Sequence, residues 1–142
     1  MNTPSANAQV YKQQQILTAT PEQLILMLYN GCIKFINDSV VAMKENDIQK
    51  AHNACIRAQD IVTELVASLN MEYPISKELS ALYEYASHEL VTANLRKEPE
   101  HLDNAKMVIT NIREGWIEAM KTARAQGGLS LQKVSGDSSI SI

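Results

Sequence analysis

The sequence predicts an all-α fold, an antiparallel up-and-down four-helix bundle with an N-terminal arm and a C-terminal tail, and two observations carry that prediction. The first is a shortage of turn residues. With five glycines and four prolines in 142 residues, the chain holds roughly half the usual share of about 12%. Between Pro21 and Gln126 only Gly31, Pro74, Pro99 and Gly115 occur. A sandwich or barrel must reverse direction every 8 to 12 residues or so, and each reversal needs a positive φ or a proline-fixed φ. The second observation is the spacing of apolar residues, which advances by 3 and 4 over long stretches, the period of one helix face.

Each element follows from local signals. The first 19 residues, MNTPSANAQVYKQQQILTA, carry one charged side chain, Lys12. They are too polar to form a core of their own, while Val10, Tyr11, Ile16 and Leu17 supply an apolar handle; residues 1–19 therefore read as a flexible, loosely docked arm. The first bundle helix starts at Thr20, where T-P-E-Q offers a hydroxyl N-cap, proline at N1 and Gln23 at N3 to close a capping box. It runs to about Lys44, with the break at Asn46 and Asp47. The second starts at Asp47 as N-cap and reaches about Asn70, on the seam Ile48, Ala51, Cys55, Ala58, Val62, Leu65, Leu69. Pro74 opens the third, along Ile75, Leu79, Leu82, Ala86, Leu90 and Ala93. Pro99 opens the fourth, along Leu102, Ala105, Ile109, Ile112, Trp116, Ala119 and Ala123. Residues 20–125 thus form one domain, a bundle about 35 Å long, and residues 126–142, rich in glycine and serine, read as a disordered tail.

Composition excludes several functions. The net charge is −3 and the basic residues are scattered singly, so no positive field draws the chain to nucleic acid. No signal peptide and no membrane-inserting run is legible, which predicts a cytosolic protein. Cys32 and Cys55 fall within apolar periodicity and read as buried thiols. No metal or cofactor is expected: His52 and Cys55 have no matching second pair, and Glu98-x-x-His101 straddles a proline at a helix start. His52 and His88 lack the neighbours of a phosphorelay histidine. Glu64, Glu84 and Glu89 read as solvated helix faces. Without a nucleophile, a general base or a phosphate loop, the chain is not expected to be an enzyme.

The first bundle helix carries more apolar surface than a bundle needs. Ile25, Leu28, Cys32, Phe35, Ser39 and Ala42 form one band, and Leu26, Tyr29, Ile33, Ile36, Val40 and Met43 the adjoining one. Together they cover about 200° of the helix, where a bundle helix needs somewhat over 100°. The excess must be covered by the arm, by a second copy of the chain in a self-associating bundle, or by an external apolar segment lying in a groove.

The run T-A-T-P-E-Q-L-I-L-M-L-Y-N-G-C-I-K-F-I resembles the first-helix signature of the flagellar secretion chaperones, in particular the version found in Gram-positive bacteria. Tyr11, the A-x-x-I-V-x-E-L stretch from Ala58 to Leu65, L-Y-E-Y and L-V-x-A-N between Leu82 and Asn94, and Trp116 support it. The chain departs from the pattern at Asn30, where many members carry Asp, and at Tyr73-Pro74, which replaces a more Gly-rich loop. The resemblance implies a cytosolic chaperone that binds the disordered C-terminal segment of flagellin, blocks premature polymerisation and holds the subunit ready for the flagellar type III export apparatus, with room for another cytosolic flagellar regulator on a separate face. Under that implication the expected flagellin contacts are Leu24, Leu28 and Tyr29 on the first bundle helix, Ile61 and Leu65 on the second, and Tyr83, Ala93 and Asn94 on the third. Tyr11 and Ile16 of the arm are expected to plug the groove until flagellin displaces them. Gly31 and Gly115 mark two further places, the first for a close backbone approach and the second to make room for the Trp116 indole.

Overall fold

The structure, a computed structural model, describes residues 3–126. Five helices follow one another: α1 (Thr3–Thr18), α2 (Pro21–Lys44), α3 (Ile48–Ala67), α4 (Pro74–Arg96) and α5 (Pro99–Ala125). The last four form the bundle. Helix α2 packs on α3 and α5, and α4 packs on α3 and α5, so the helices close a ring in chain order. The expected tail, apart from Gln126, lies outside the described residues.

The caps are those the sequence calls for. Thr20 Oγ1 accepts from the Gln23 amide at 3.2 Å, and Gln23 Oε1 accepts from the Thr20 amide at 2.9 Å, closing the capping box with Pro21 at N1. Asp47 Oδ1 accepts from the Lys50 amide at 3.1 Å at the start of α3. Between α2 and α3 the chain reverses at Asn46, whose φ of 59° is left-handed; a short polar side chain tolerates that region better than most. Helix α4 ends at a second left-handed residue, Lys97, with φ 54°. Helix α3 stops at Ala67, about a turn earlier than the seam predicts, and Ser68 Oγ donates to the Leu65 carbonyl at 2.7 Å to cap it.

The core differs between the two ends of the bundle. Where α2 and α4 end and α3 and α5 begin, small residues dominate: Ala42, Ala51, Ala86, Ala93 and Ala105 are fully buried. They let the helix axes approach closely, as interdigitated packing requires. Two polar bonds tie this region together, Ser39 Oγ donating to the Ala51 carbonyl at 2.9 Å and Cys55 Sγ to the Leu90 carbonyl at 3.2 Å. The opposite end is built from larger side chains, with Tyr29, Leu65 and Tyr83 all buried.

Three expectations are corrected here. The arm, expected to be flexible and loosely docked, is the helix α1, and every described side chain from Asn7 to Thr18 is exposed. Ile48, placed on the α3 seam, is 55% exposed at the first residue of that helix. Glu89 is buried instead of solvated. Its carboxylate accepts from His101 Nδ1 at 3.0 Å and from Asn104 Nδ2 at 2.8 Å, while the other ring nitrogen of His101 lies 3.2 Å from Glu98. Those hydrogen bonds, Asn104's first, hold the Glu89 carboxyl below its usual range, and the bond to Glu89 raises the His101 imidazole above its own. The cluster fastens the short connection between α4 and α5.

Helix α2 is, among the described residues, the one helix long and apolar enough by composition to cross a membrane. Its broad apolar arc is occupied within the chain. Ile25, Tyr29, Cys32 and Ile36 are core, and Leu28, Ile33, Phe35 and Val40 pack against that core from its edges. Phe35 is further covered by the Arg57 guanidinium, 4.7 Å from the ring centroid.

Candidate functional site

A groove of about 610 Å³ opens at the end of the bundle with the large side chains. Its walls are the first half of α4, through Ile75, Leu79 and Leu82, and the last half of α5, through Val108, Ile112 and Trp116. Leu69 and Tyr73 from the α3–α4 connection close one end, and Pro21 and Ile25 of α2 bound another side. The seams of α4 and α5 therefore split by position. Ala86, Leu90 and Ala93 of α4 and Leu102, Ala105 and Ile109 of α5 are fully buried, while Ile75, Leu79, Leu82, Ile112 and Trp116 face the groove.

Tyr29 and Tyr83 form the floor. Their hydroxyls share a buried hydrogen bond of 2.6 Å, and Trp116 meets Tyr29 edge-on with ring centroids 6.4 Å apart. The Trp116 indole N–H donates to the Glu22 carbonyl at 3.0 Å, fixing the ring across the α2–α5 boundary. Burial pushes the Tyr29 phenol up to about 12, and burial raises Tyr83 further, with the neighbouring Tyr29 adding to it. Both stay neutral at physiological pH, so neither serves as a base. Ser76, on the groove wall, donates to the Asn70 carbonyl at 2.6 Å. The polar atoms at the base of the groove are thus satisfied by one another, and what the groove offers a visitor is apolar area. A concave apolar surface of this size fits side chains of another segment better than a reaction centre, which needs converging unpaired polar groups.

The expected contact residues distribute unevenly. Tyr29 and Tyr83 lie at the groove, as its buried floor. Leu65 and Ala93 are fully buried core residues away from it. Leu28 and Ile61 are half-buried and packed against the core, and Leu24 is half-buried outside the groove lining. Asn94 sits near the opposite end of the bundle, where it hydrogen-bonds His52 Nδ1 at 2.9 Å and accepts from the Lys97 ammonium; that pairing holds the α3–α4 boundary. Tyr11 and Ile16 are 63% and 50% exposed on α1 and do not plug the groove. Asn30 accepts from the Arg113 guanidinium, bridging α2 to α5. At Gly31 an added Cβ would come within 3.3 Å of Ile61 Cδ1, so the close approach there is by a side chain of α3, not a backbone. At Gly115 it would meet nothing within 4 Å, so that glycine widens the groove instead of accommodating the indole.

The residues missed by pattern reasoning are the groove walls themselves. Ile75, Leu79, Leu82, Ile112 and Trp116 all sit on helix seams, and seam spacing alone does not distinguish a groove wall from a packed core. On α4 the sequence carries a signal, the change from Ala86 and Ala93 to Ile75, Leu79 and Leu82; on α5, where Ala119 lines the groove, it carries none.

Comparison with known proteins places these features in context. The family described as flagellar protein FliS matches residues 3–123. A flagellar secretion chaperone FliS from Bacillus subtilis (strain 168) is 36% identical over 114 residues, spanning 80% of this chain and 86% of the relative. Its counterpart from Salmonella typhimurium (strain LT2) is 30% identical over 124 residues, spanning 85% of this chain and 92% of that protein. A solved structure described as a flagellar chaperone from bacteria superimposes with a TM-score of 0.68 at 19% identity, over 82% of this chain and 98% of that one; it supports the helical fold.

Proposed function

The chain belongs to the flagellar protein FliS family, whose relatives are named flagellar secretion chaperones, and from that premise we propose that its groove receives the C-terminal segment of flagellin. The observation that carries the proposal is the groove between α4 and α5: concave, walled by aliphatic side chains and Trp116, and floored by a tyrosine pair whose hydroxyls already satisfy each other. Such a surface takes apolar side chains from an extended or helical segment without asking for particular polar partners. A client held this way gives up chain entropy on binding, which limits the net affinity per unit area and keeps the complex reversible. Reversible capture in the cytosol prevents flagellin from polymerising before export and hands it, still unfolded at its C-terminus, to the export apparatus. The chain acts by binding and carries out no catalysis.

The rival in which α2 pairs with its copy loses its motive, since the apolar arc of α2 is occupied by α3, α5 and Arg57. Co-purification with intact flagellin and with flagellin lacking its C-terminal segment tests the proposal. Retention of the first and loss of the second is the expected outcome; equal retention of both contradicts it.

A further inference from the structure

Helix α5 carries one glycine, Gly115, ten residues before its end at Ala125. Glycine is the least favourable helix residue after proline, because it gives up the most backbone freedom and packs no side chain. A helix keeps one for a left-handed backbone, for its own termination, or because a neighbour presses on the Cα. None of these holds at Gly115. Its backbone is ordinary α-helix, it lies well inside α5, and beyond its chain neighbours an added Cβ would meet no atom within 4 Å. Gly31 shows the contrast, since there Ile61 Cδ1 of α3 would lie 3.3 Å from the added carbon. The fold uses the absence of a side chain at Gly31 and makes no use of it at Gly115. What the missing side chain leaves at Gly115 is room in the groove, which this residue lines together with Ile112 and Trp116.

We infer that the space over Gly115 is a side-chain subsite, which takes one bulky apolar residue of the bound segment and makes Gly115 the position that sets how large that residue is. The inference rests on the flagellin reading of the groove and adds to it a size preference at one place. On a helix face, residues three and four apart are neighbours. Gly115 therefore lies between Asn111 and Ile112 one turn earlier and Ala119 one turn later, all on the groove wall. Ile112 and Trp116 are large while Gly115 and Ala119 are small, so the wall dips where the two small residues meet. Counted eleven residues along both antiparallel helices from the Glu89–Asn104 bond, Gly115 comes level with Glu78. The dip thus faces the part of α4 that carries Ile75 and Leu79. The indole N–H and the floor hydroxyls nearby are already bonded, so the gain on filling the dip comes from apolar burial, about fourfold in affinity per methylene.

Calorimetric titration of a flagellin C-terminal peptide into the full-length wild type, Gly115→Ala and Gly115→Leu tests the subsite, with Tm measured on each chain. Gly115→Ala should raise Tm while weakening the peptide about fourfold, the scale of one displaced methylene. Gly115→Leu should weaken it at least about tenfold. A second arm cuts each large apolar residue of the peptide to alanine in turn. One shortened peptide should bind Gly115→Leu more tightly than the uncut peptide does, and bind the wild type more weakly. Uncut-peptide affinities that agree across the three chains overturn the inference and leave the flagellin reading standing. A loss that no shortened peptide relieves also overturns it, since the introduced leucine then blocks the groove without meeting a particular side chain. A wild type that does not bind the peptide overturns the flagellin reading, and the inference falls with it. Gly115→Ala carries both arms if Gly115→Leu does not fold.

Discussion

Tyr29 and Tyr83 lie 54 residues apart in the sequence and share one buried hydrogen bond of 2.6 Å, so each makes the other's burial tolerable. Tyr83→Phe leaves the Tyr29 hydroxyl without its partner and should cost about 1–3 kcal/mol, read as a lower urea midpoint with an unchanged slope. Their titration has a sign that can be worked out. A group whose folded pKa is raised contributes stability that is complete below its unfolded value and is lost as pH rises through the folded one. Burial raises Cys32 from 9.0 to about 12 and Tyr29 from 10.0 to about 12. Stability should therefore fall as pH rises from about 9 towards 12, and Cys32→Ala should flatten the early part of that fall. On the acid side the cluster of Glu89 and His101 behaves oppositely at its two ends. The lowered Glu89 stabilises above its ordinary range and loses that as pH drops through its folded value, while the raised His101 stabilises below its ordinary range and loses that as pH climbs through its folded value. Both contributions are complete between 4.5 and 6.5, so His101→Ala should lower Tm more within that window than above it.

The helices themselves were largely legible, because their signals are local. Thr20, Pro21 and Gln23 make a capping box within four residues, and Asp47, Pro74 and Pro99 mark starts by their own backbone chemistry. Thr20→Ala should accordingly cost about 1 kcal/mol, measurable as a drop in Tm. What the pattern could not reveal was which half of a seam is packed. Leu82 and Leu90 both lie on the apolar side of α4, yet Leu90 is fully buried and Leu82, on the groove wall, is 41% exposed. Periodicity reports a face; the distance to the neighbouring helix depends on residues elsewhere. The arm shows the same limit from the other side, since α1 forms without the contacts its apolar residues suggested. Deleting residues 1–18 should leave Tm nearly unchanged, since the described side chains lost, Asn7 to Thr18, are exposed and such losses usually change stability by less than about 0.5 kcal/mol. Gly115 offers a paired test of the groove wall. Its Cβ would meet open space, so Gly115→Ala should stabilise α5 by about 1 kcal/mol, whereas Gly115→Leu should fold and fill the groove.

At the scale of the whole molecule, the bundle is tight at one end and open at the other. The alanine-rich half and the Glu89–His101–Asn104 cluster hold the four helices together, which leaves the opposite half free to present an apolar groove without loss of the fold. Stability and binding therefore reside in different halves, and they should separate under mutation. Ile75 and Leu82 wall the groove yet remain 55% and 41% exposed, so charging them disturbs little packing. The most direct measurement is calorimetric titration of a flagellin C-terminal peptide into the wild type, Leu82→Glu, and Met107→Glu as an exposed control outside the groove. The account predicts Tm values within a few degrees of one another, wild-type affinity for Met107→Glu, and at least about a tenfold loss for Leu82→Glu, the scale of a truncated interface anchor. A folded Leu82→Glu chain that binds the peptide as tightly as the wild type would contradict it.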